Sequence, residues 1–308
     1  MCGHFETDSE LDNYQSAYKK FNSTTTALLN ITDDVYKAMD KSEVTFLILL
    51  DYSKAFDVAN HRLILAKLKA LGFHNDALFW LESYLYNRKQ KVKNNLGESE
   101  WINLKNGVPQ GSILGPLLFL VLVSDLHDVI KYGSYHMYAD DTQLYYHCKI
   151  SDAMSTITKI NHDLNSISLY SKNNCLNLNT GKSNFIILGS IGNLSKIKQM
   201  SLPPIVLNND VIERKKTVKN LGVIFDETLS WSTHVNKMIS KAYYKLRKIY
   251  RFKKFLTRES KITICESYVS SHLNYCDAVY INISEFLQNK NTKSTKLNSQ
   301  VYFWFEKV

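Results

Sequence analysis

Three carboxylates stand at places where a purely structural role explains them poorly. Asp51 ends the nearly continuous apolar run Val44–Leu50, whose composition is that of a buried strand. Asp140 and Asp141 lie side by side between two short β-prone runs, 135–139 and 142–146, which the pattern makes the arms of a hairpin. They follow Asp51 by 89 and 90 residues. If the strand ending at Asp51 lies beside the hairpin, the three side chains meet at one sheet edge and repel one another. Hard divalent cations relieve such repulsion, and Mg2+ is the natural choice, with Mn2+ as a substitute. A pair of these ions stabilises both the attacking and the leaving oxygen of an in-line phosphoryl displacement. An Asp-Asp pair in isolation would be read as an ordinary turn cap, so the remaining motifs must decide.

The elements that would position these groups are mixed. Helical spacing of apolar residues predicts helices over 23–40, 61–71 (stopped by Gly72), 76–86, 117–130 and 151–172. A hairpin is expected from 88–92 and 101–104, with Asn94, Asn95 and Gly97 between them, and a loop with Pro109 over 107–111. Strands are expected at 184–188, 205–207 and 218–225, and basic helix from His234 onward, which places a soft boundary near Ser232. The fold class is therefore α+β, divided into 1–232 and 233–308.

Composition excludes several classes. With 308 residues, 44% of them hydrophobic, the chain can bury a sizeable core. The longest apolar run, 113–123, contains Gly115 and Pro116 and is too short to span a bilayer, and residues 1–10 lack the apolar core of a secretory signal. An intracellular protein without a membrane anchor is expected. Five cysteines with no CxxC pair argue against a disulfide scaffold or a zinc site. The net charge of +9 is uneven: residues 1–150 carry 15 Lys and Arg against 18 Asp and Glu, and residues 151–308 carry 23 against 11. Carboxylates for local chemistry in one half and a cationic surface in the other suit a phosphate-backbone partner, although a solvated lysine-rich surface gives the same count.

The segments FLILLDYSKAFDVANH (46–61), NGVPQGSILGPLLF (106–119) and YADDTQL (138–144) resemble the three central motifs of reverse transcriptases from jockey-like non-LTR retrotransposons. The resemblance extends upstream through QSAYKKFNSTTTALL (15–29) and between the motifs through SYLYNRKQKV (83–92). Downstream it continues through LNLNTGKSNFIILG (176–189) and KNLGVIFDETLSW (219–231), and it covers about residues 15–276. It implies a right-hand polymerase: a palm with an antiparallel sheet and packed helices, partial fingers and a helical, basic thumb. It also implies an RNA-directed DNA polymerase that extends a DNA primer on an RNA template with deoxynucleoside triphosphates, in the cytoplasm and nucleus. By the same carry-over, Asp51, Asp140, Asp141 and the carbonyl of Tyr52 would hold two metal ions. Phe56 would be the ring that excludes a ribose 2′-hydroxyl, although simple core packing also suits it. Gln110 and Gly111 would touch the incoming nucleotide, and Lys182 would protonate or neutralise the pyrophosphate leaving group. Asp57 carries over no metal role and suits a helix cap. Lys19 and Lys20 fall in the fingers segment expected to meet template or triphosphate.

The basic end has its own logic. Between Lys237 and Lys261 there are ten Lys or Arg and one acid, Glu259. Lys237, Lys241, Lys245 and Lys248 recur at helical spacing, with Met238, Ala242, Leu246 and Ile249 on a neighbouring face. In a polymerase this helix would track a duplex backbone without reading its sequence, while a membrane-surface helix is the runner-up for the segment alone. The resemblance expects an earlier fingers segment and an upstream endonuclease, neither of which these 308 residues are expected to contain, and it fades beyond Cys276. A truncated remnant that binds nucleic acid without polymerising is thus the alternative reading, and a nucleotide cyclase a weaker one.

Overall fold

The computed structural model describes residues 14–280. Helix α1 (Thr24–Asp40) starts at Ser23, whose hydroxyl accepts from the Thr26 amide while the Thr26 hydroxyl accepts from the Ser23 amide, a capping box with Thr in the reciprocal place. It buries the stripe Ala27, Leu28, Ile31, Val35 and Ala38. Strand β1 (Val44–Leu50) follows, buried along nearly its whole length as its apolar sequence requires. A short helix α2 (Ala55–Val58) leads to α3 (His61–Ala70) and α4 (Asn75–Leu85). Asn60 caps α3, its side-chain oxygen accepting from the amides of Arg62 and Leu63, so the capping role that Asp57 suited belongs to Asn60.

The expected hairpin is present in two tiers. Strands β2 (Lys89–Gln90) and β5 (Ile102–Asn103) pair antiparallel outside β3 (Lys93–Asn94) and β4 (Gly97–Glu98). Helix α5 spans Leu114–Leu122 and gives way to a 3-10 turn at Leu126–Val129, so the helix expected over 117–130 starts earlier and ends sooner. The physical reason is visible at its end. Tyr170 donates its hydroxyl hydrogen to the Leu122 carbonyl at 3.2 Å and the Lys67 ammonium donates to it at 2.5 Å, while the Leu126 amide turns to Val123. Asp125, drawn to the same Lys67, holds the break in place.

Strands β6 (Ser134–Tyr138) and β7 (Asp141–Cys148) form the antiparallel hairpin foreseen around the acidic pair, and α6 (Ala153–Asn173) follows. Strand β8 (Asn184–Leu188) precedes helix α7 (Ile191–Gln199), for which no expectation was raised. Strands β9 (Val206–Leu207) and β10 (Asp210–Val211) pair with each other, and β11 (Glu213–Arg214) pairs parallel with β8. The run 218–225, expected as one strand, is a hairpin of β12 (Thr217–Asn220) and β13 (Val223–Asp226). Gly222, with φ of +89°, takes the left-handed backbone that turns the chain there. The principal sheet has the order β11-β8-β1-β7-β6, which sets β1 next to the acidic hairpin.

Of the described residues, 14–22, 46–185 and 199–214 form one compact unit, and 23–45, 186–198 and 215–280 another. The first has a core of Ala59, Ile64, Leu68, Leu81, Leu85, Leu118, Phe119, Val121 and Leu122, where α3, α4 and α5 pack together beneath Tyr52 and Ala55. The second buries Phe225, Trp231, Val235 and Tyr280, with the Trp231 indole donating to the Tyr36 hydroxyl. Its long helix α8 (Ser232–Arg251) buries His234, Val235, Met238, Ile239, Ala242 and Ile249. Among the described residues no helix is long and apolar enough to cross a membrane.

Candidate active site

Asp51 leaves β1 at the point where the strand's partners change. Its carbonyl accepts from the Asn179 amide at 2.8 Å and its own amide donates to the Ser183 hydroxyl, which in turn donates to the Asn179 carbonyl. Tyr52 bridges Leu178 antiparallel, and its buried hydroxyl lies 3.2 Å from that of Ser171. Burial pushes that phenol up to about 12, so it stays neutral and structural. The 177–183 segment is therefore the frame of Asp51. It also carries Lys182, whose ammonium stands 3.7 Å from the Asp51 carboxylate. Lys182 is mostly exposed, so this long ion pair adds little stability. The oxygen that faces Lys182, Oδ2, is a buried atom with no hydrogen-bond partner, since 3.7 Å is too long for a hydrogen bond.

The β6–β7 hairpin pairs Tyr138 with Asp141 and turns through Ala139 and Asp140. Ala139 has φ of +57°, a left-handed backbone that an alanine takes at a cost of about 1–2 kcal/mol. Asp141 is raised from 3.8 to about 6, first by burial and then by the charges of Asp140 and Asp51. Asp140 is raised as well, by burial and by Asp51, with a backbone hydrogen bond opposing. The three carboxylates thus feel one another as the sequence implied. Among the described residues, though, no three His, Cys, Asp or Glu side chains are close enough to form a ready-made metal cluster. A buried carboxylate oxygen without a hydrogen bond, two upward-shifted acids and an all-oxygen donor set nevertheless fit a hard divalent cation.

This crowding has a measurable sign. Asp141 holds its proton up to about pH 6 when folded but only to about 4 when unfolded, so its share of stability is present in acid and lost as pH rises through 6. Asp141→Asn removes that loss. Thermal melts in chelator are expected to show the variant melting above the wild type at pH 7.5, with the gap shrinking steadily toward pH 5. Equal melting temperatures at pH 7.5 would mean that the carboxylates are not crowded.

Two loops complete the surroundings. The 106–111 loop is zipped to the turn after Asp51: the Val108 amide donates to the Phe56 carbonyl and the Gly107 amide to that of Ala59. A β-carbon on Gly107 would lie 2.6 Å from the Asp57 carbonyl oxygen, so glycine is required for this approach. Gln110 is exposed and donates from Nε2 to the Asp57 carboxylate at 2.7 Å, which gives Asp57 a positioning role. Gly111 is exposed with φ of +81°. Lys54, Arg88 and Gln110 line a cleft of about 650 Å³ beside this loop. Phe56 is half-buried and stacks on Phe119, with ring centroids 4.4 Å apart.

The second contributor was missed by residue-level reasoning. Residues 14–17 lie along β6, with Gln15 bridged in parallel to Met137. Tyr18 faces the turn closely enough for its phenol to be raised by burial and by the charges of Asp140 and Tyr138. The only signal was the position of QSAY at the head of the resembling stretch. Lys19 is half-buried and Lys20 exposed. In the other unit, Lys237, Lys241 and Lys248 are exposed along α8, whereas Lys245 donates to the Tyr268 carbonyl and sits 4.4 Å over its ring. The cationic face expected there is real, with one of its four lysines turned inward to a partner.

A sheet that sets a strand-end carboxylate beside an acidic hairpin, with helices packed below, defines a polymerase palm. Solved telomerase structures share the fold. One from Candida albicans, in complex with a fragment of telomeric RNA, aligns over 100% of this chain and 55% of its own at a TM-score of 0.50 and 13% identity. Apo telomerase from Candida tropicalis, truncated from its C-terminal domain, aligns over 74% and 42% at 0.50 and 15%. The sequence profile described as reverse transcriptase (RNA-dependent DNA polymerase) matches residues 4–225, and the chain belongs to that family.

Its relatives in Drosophila melanogaster agree with the jockey-like resemblance. The probable RNA-directed DNA polymerase from transposon BS is 26% identical over 82% of this chain and 28% of its own length. That from transposon X-element is 26% identical over 90% and 31%, and that from mobile element jockey 26% over 73% and 24%. The chain spans about a quarter to a third of the length of these relatives.

Proposed function

We propose that the chain is the polymerase region of a mobile element and copies an RNA template into DNA by adding deoxynucleotides to a primer 3′-hydroxyl, in the cytoplasm and nucleus. The crowding of Asp51, Asp140 and Asp141 at one sheet edge carries this reading. Asp51, the Tyr52 carbonyl, Asp140 and Asp141 would hold two Mg2+ ions, or Mn2+ in their place, and bound there the ions supply charge stabilisation to the attacking and leaving oxygens. The chain's own groups do the rest. Asp51 stays aligned because its backbone is fixed on both sides by 177–183. Lys182, exposed and 3.7 Å from Asp51, is placed to give a proton to departing pyrophosphate. Gln110, braced by Asp57, and Gly111 meet the incoming nucleotide and the template. Phe56 limits space at the sugar. Lys19 and Lys20 meet the template or the triphosphate. Lys237, Lys241, Lys245 and Lys248 belong to a thumb-like region, read from the sequence as 233–308 with 281–308 outside the described residues, that follows the duplex backbone.

The test is extension of oligo-dT on poly-rA with dTTP and Mg2+ or Mn2+. Extension that stops on chelation supports the reading. Folded protein that binds the duplex in a salt-sensitive way but extends nothing with either ion would replace polymerisation with binding alone.

A further inference from the structure

Gln15 is 3% exposed, and its side-chain amide reads both backbone groups of Ala139. Nε2 donates to the Ala139 carbonyl at 3.2 Å, and Oε1 accepts from the Ala139 amide at 3.0 Å and from the Ala17 amide at 3.0 Å. A side chain thereby imitates a neighbouring strand at Ala139, one of the two turn residues that the hairpin ladder leaves unpaired. Ala139 immediately precedes Asp140 and holds the left-handed φ of +57° that an alanine avoids without support. The rest of the same segment is anchored elsewhere: the Ser16 amide donates to the Met137 carbonyl, and the Ser16 hydroxyl lies 2.8 Å from His136 Nε2. Two anchors with different consequences therefore come from adjacent residues. Ser16 docks the segment on β6, and Gln15 fixes the turn.

We infer that Gln15 is a positioning residue for the catalytic turn, clamping the Ala139 peptide so that Asp140 and Asp141 are aimed at the Asp51 edge. This rests on the polymerase reading. Loss of the clamp frees the turn to leave its strained backbone, and the two carboxylates then spend less time together. Residues that orient metal ligands through a hydrogen bond typically change affinity by about 10–100-fold when removed.

The test measures Mn2+ binding to the chain directly, by electron paramagnetic resonance, alongside primer extension and thermal melting. Gln15→Met keeps the volume and removes both hydrogen bonds to Ala139. The expected dissociation constant for Mn2+ rises roughly 10-fold, with extension falling in parallel at low Mn2+ and recovering in part at high Mn2+. Ser16→Ala is expected to lower the melting temperature yet leave Mn2+ affinity unchanged. If Gln15→Met does not fold, the double variant with Ala139→Gly is measured in its place, since glycine takes that backbone without penalty; its dissociation constant must still exceed the wild-type value. Wild-type affinity in a folded Gln15 variant overturns the inference while leaving the polymerase reading intact. Equal weakening in Ser16→Ala also overturns it, since simple docking of the segment would then suffice. A wild-type chain that binds no Mn2+ overturns the polymerase reading and this inference with it.

Discussion

Primer extension by Asp140→Asn is expected to fall by roughly three orders of magnitude while the variant folds as well as, or better than, the wild type. Two opposite effects of one carboxylate produce this pairing. In the metal-free fold Asp140 is a burden: burial and the Asp51 charge both push its proton affinity up. Asparagine keeps the size and the local hydrogen-bonding capacity and discards the repelled charge, so stability at neutral pH holds or rises. In the reacting complex the same charge is what gathers cations at the sheet edge. Losing it removes several kcal/mol of charge stabilisation from the transition state, and about 4 kcal/mol corresponds to a rate change near 10³-fold. The measurement is single-turnover extension at saturating template-primer, paired with thermal melting in chelator. A large loss of rate accompanied by a large loss of melting temperature would assign Asp140 to the fold. A rate within tenfold of wild type would remove it from the chemistry. Lys182→Ala is the natural comparison, since that ammonium is mostly exposed and contributes through one long contact.

The features legible in the sequence are those in which chain pattern and burial coincide. Strand β1 was readable because seven consecutive residues, Val44–Leu50, are buried almost without interruption, and β8 because its five residues are bounded by a Gly-Lys-Ser turn and a glycine. The hairpin around Asp140 was readable because acidic residues do not occupy the middle of buried strands. Other features depend on distant partners and leave no local mark. Nothing in the sequence LFLVLVSDLHD (118–128) says that α5 ends at Leu122; the Lys67 ammonium and the Tyr170 hydroxyl, 55 and 48 residues away, take the carbonyl that the next helical turn would use. The run 218–225 has strand composition throughout, and only the left-handed backbone at Leu221 and Gly222 shows that it doubles back. Gln15 lies 124 residues from Ala139, and a glutamine that substitutes for a strand looks like any other glutamine in one dimension. Local rules thus located the reactive groups. The groups that hold them at the right angle became visible only in three dimensions.

Phe56 separates the two kinds of role most sharply. Its ring stacks on Phe119 at 4.4 Å and packs against the core of α3, α4 and α5, yet it remains half-buried, five residues beyond Asp51. Its carbonyl ties the 106–111 loop through Val108, a contact that any residue would preserve. The side chain alone is therefore open to test. If the free face of the ring meets the sugar of an incoming nucleotide, Phe56→Ala makes room for a 2′-hydroxyl. The preference for dTTP over UTP, measured as the ratio of kcat/KM values, is then expected to fall by about 10–200-fold, the range that a change of pocket size commands. Truncating a half-filled packing position should cost about 2 kcal/mol of stability in either case. The stability loss is common to both readings, and the ratio decides between them. A lower melting temperature with the ratio intact would make Phe56 a core residue and place sugar selection elsewhere. A reduced ratio that Phe56→Leu largely restores would show that bulk at this position, more than aromaticity, excludes the ribonucleotide.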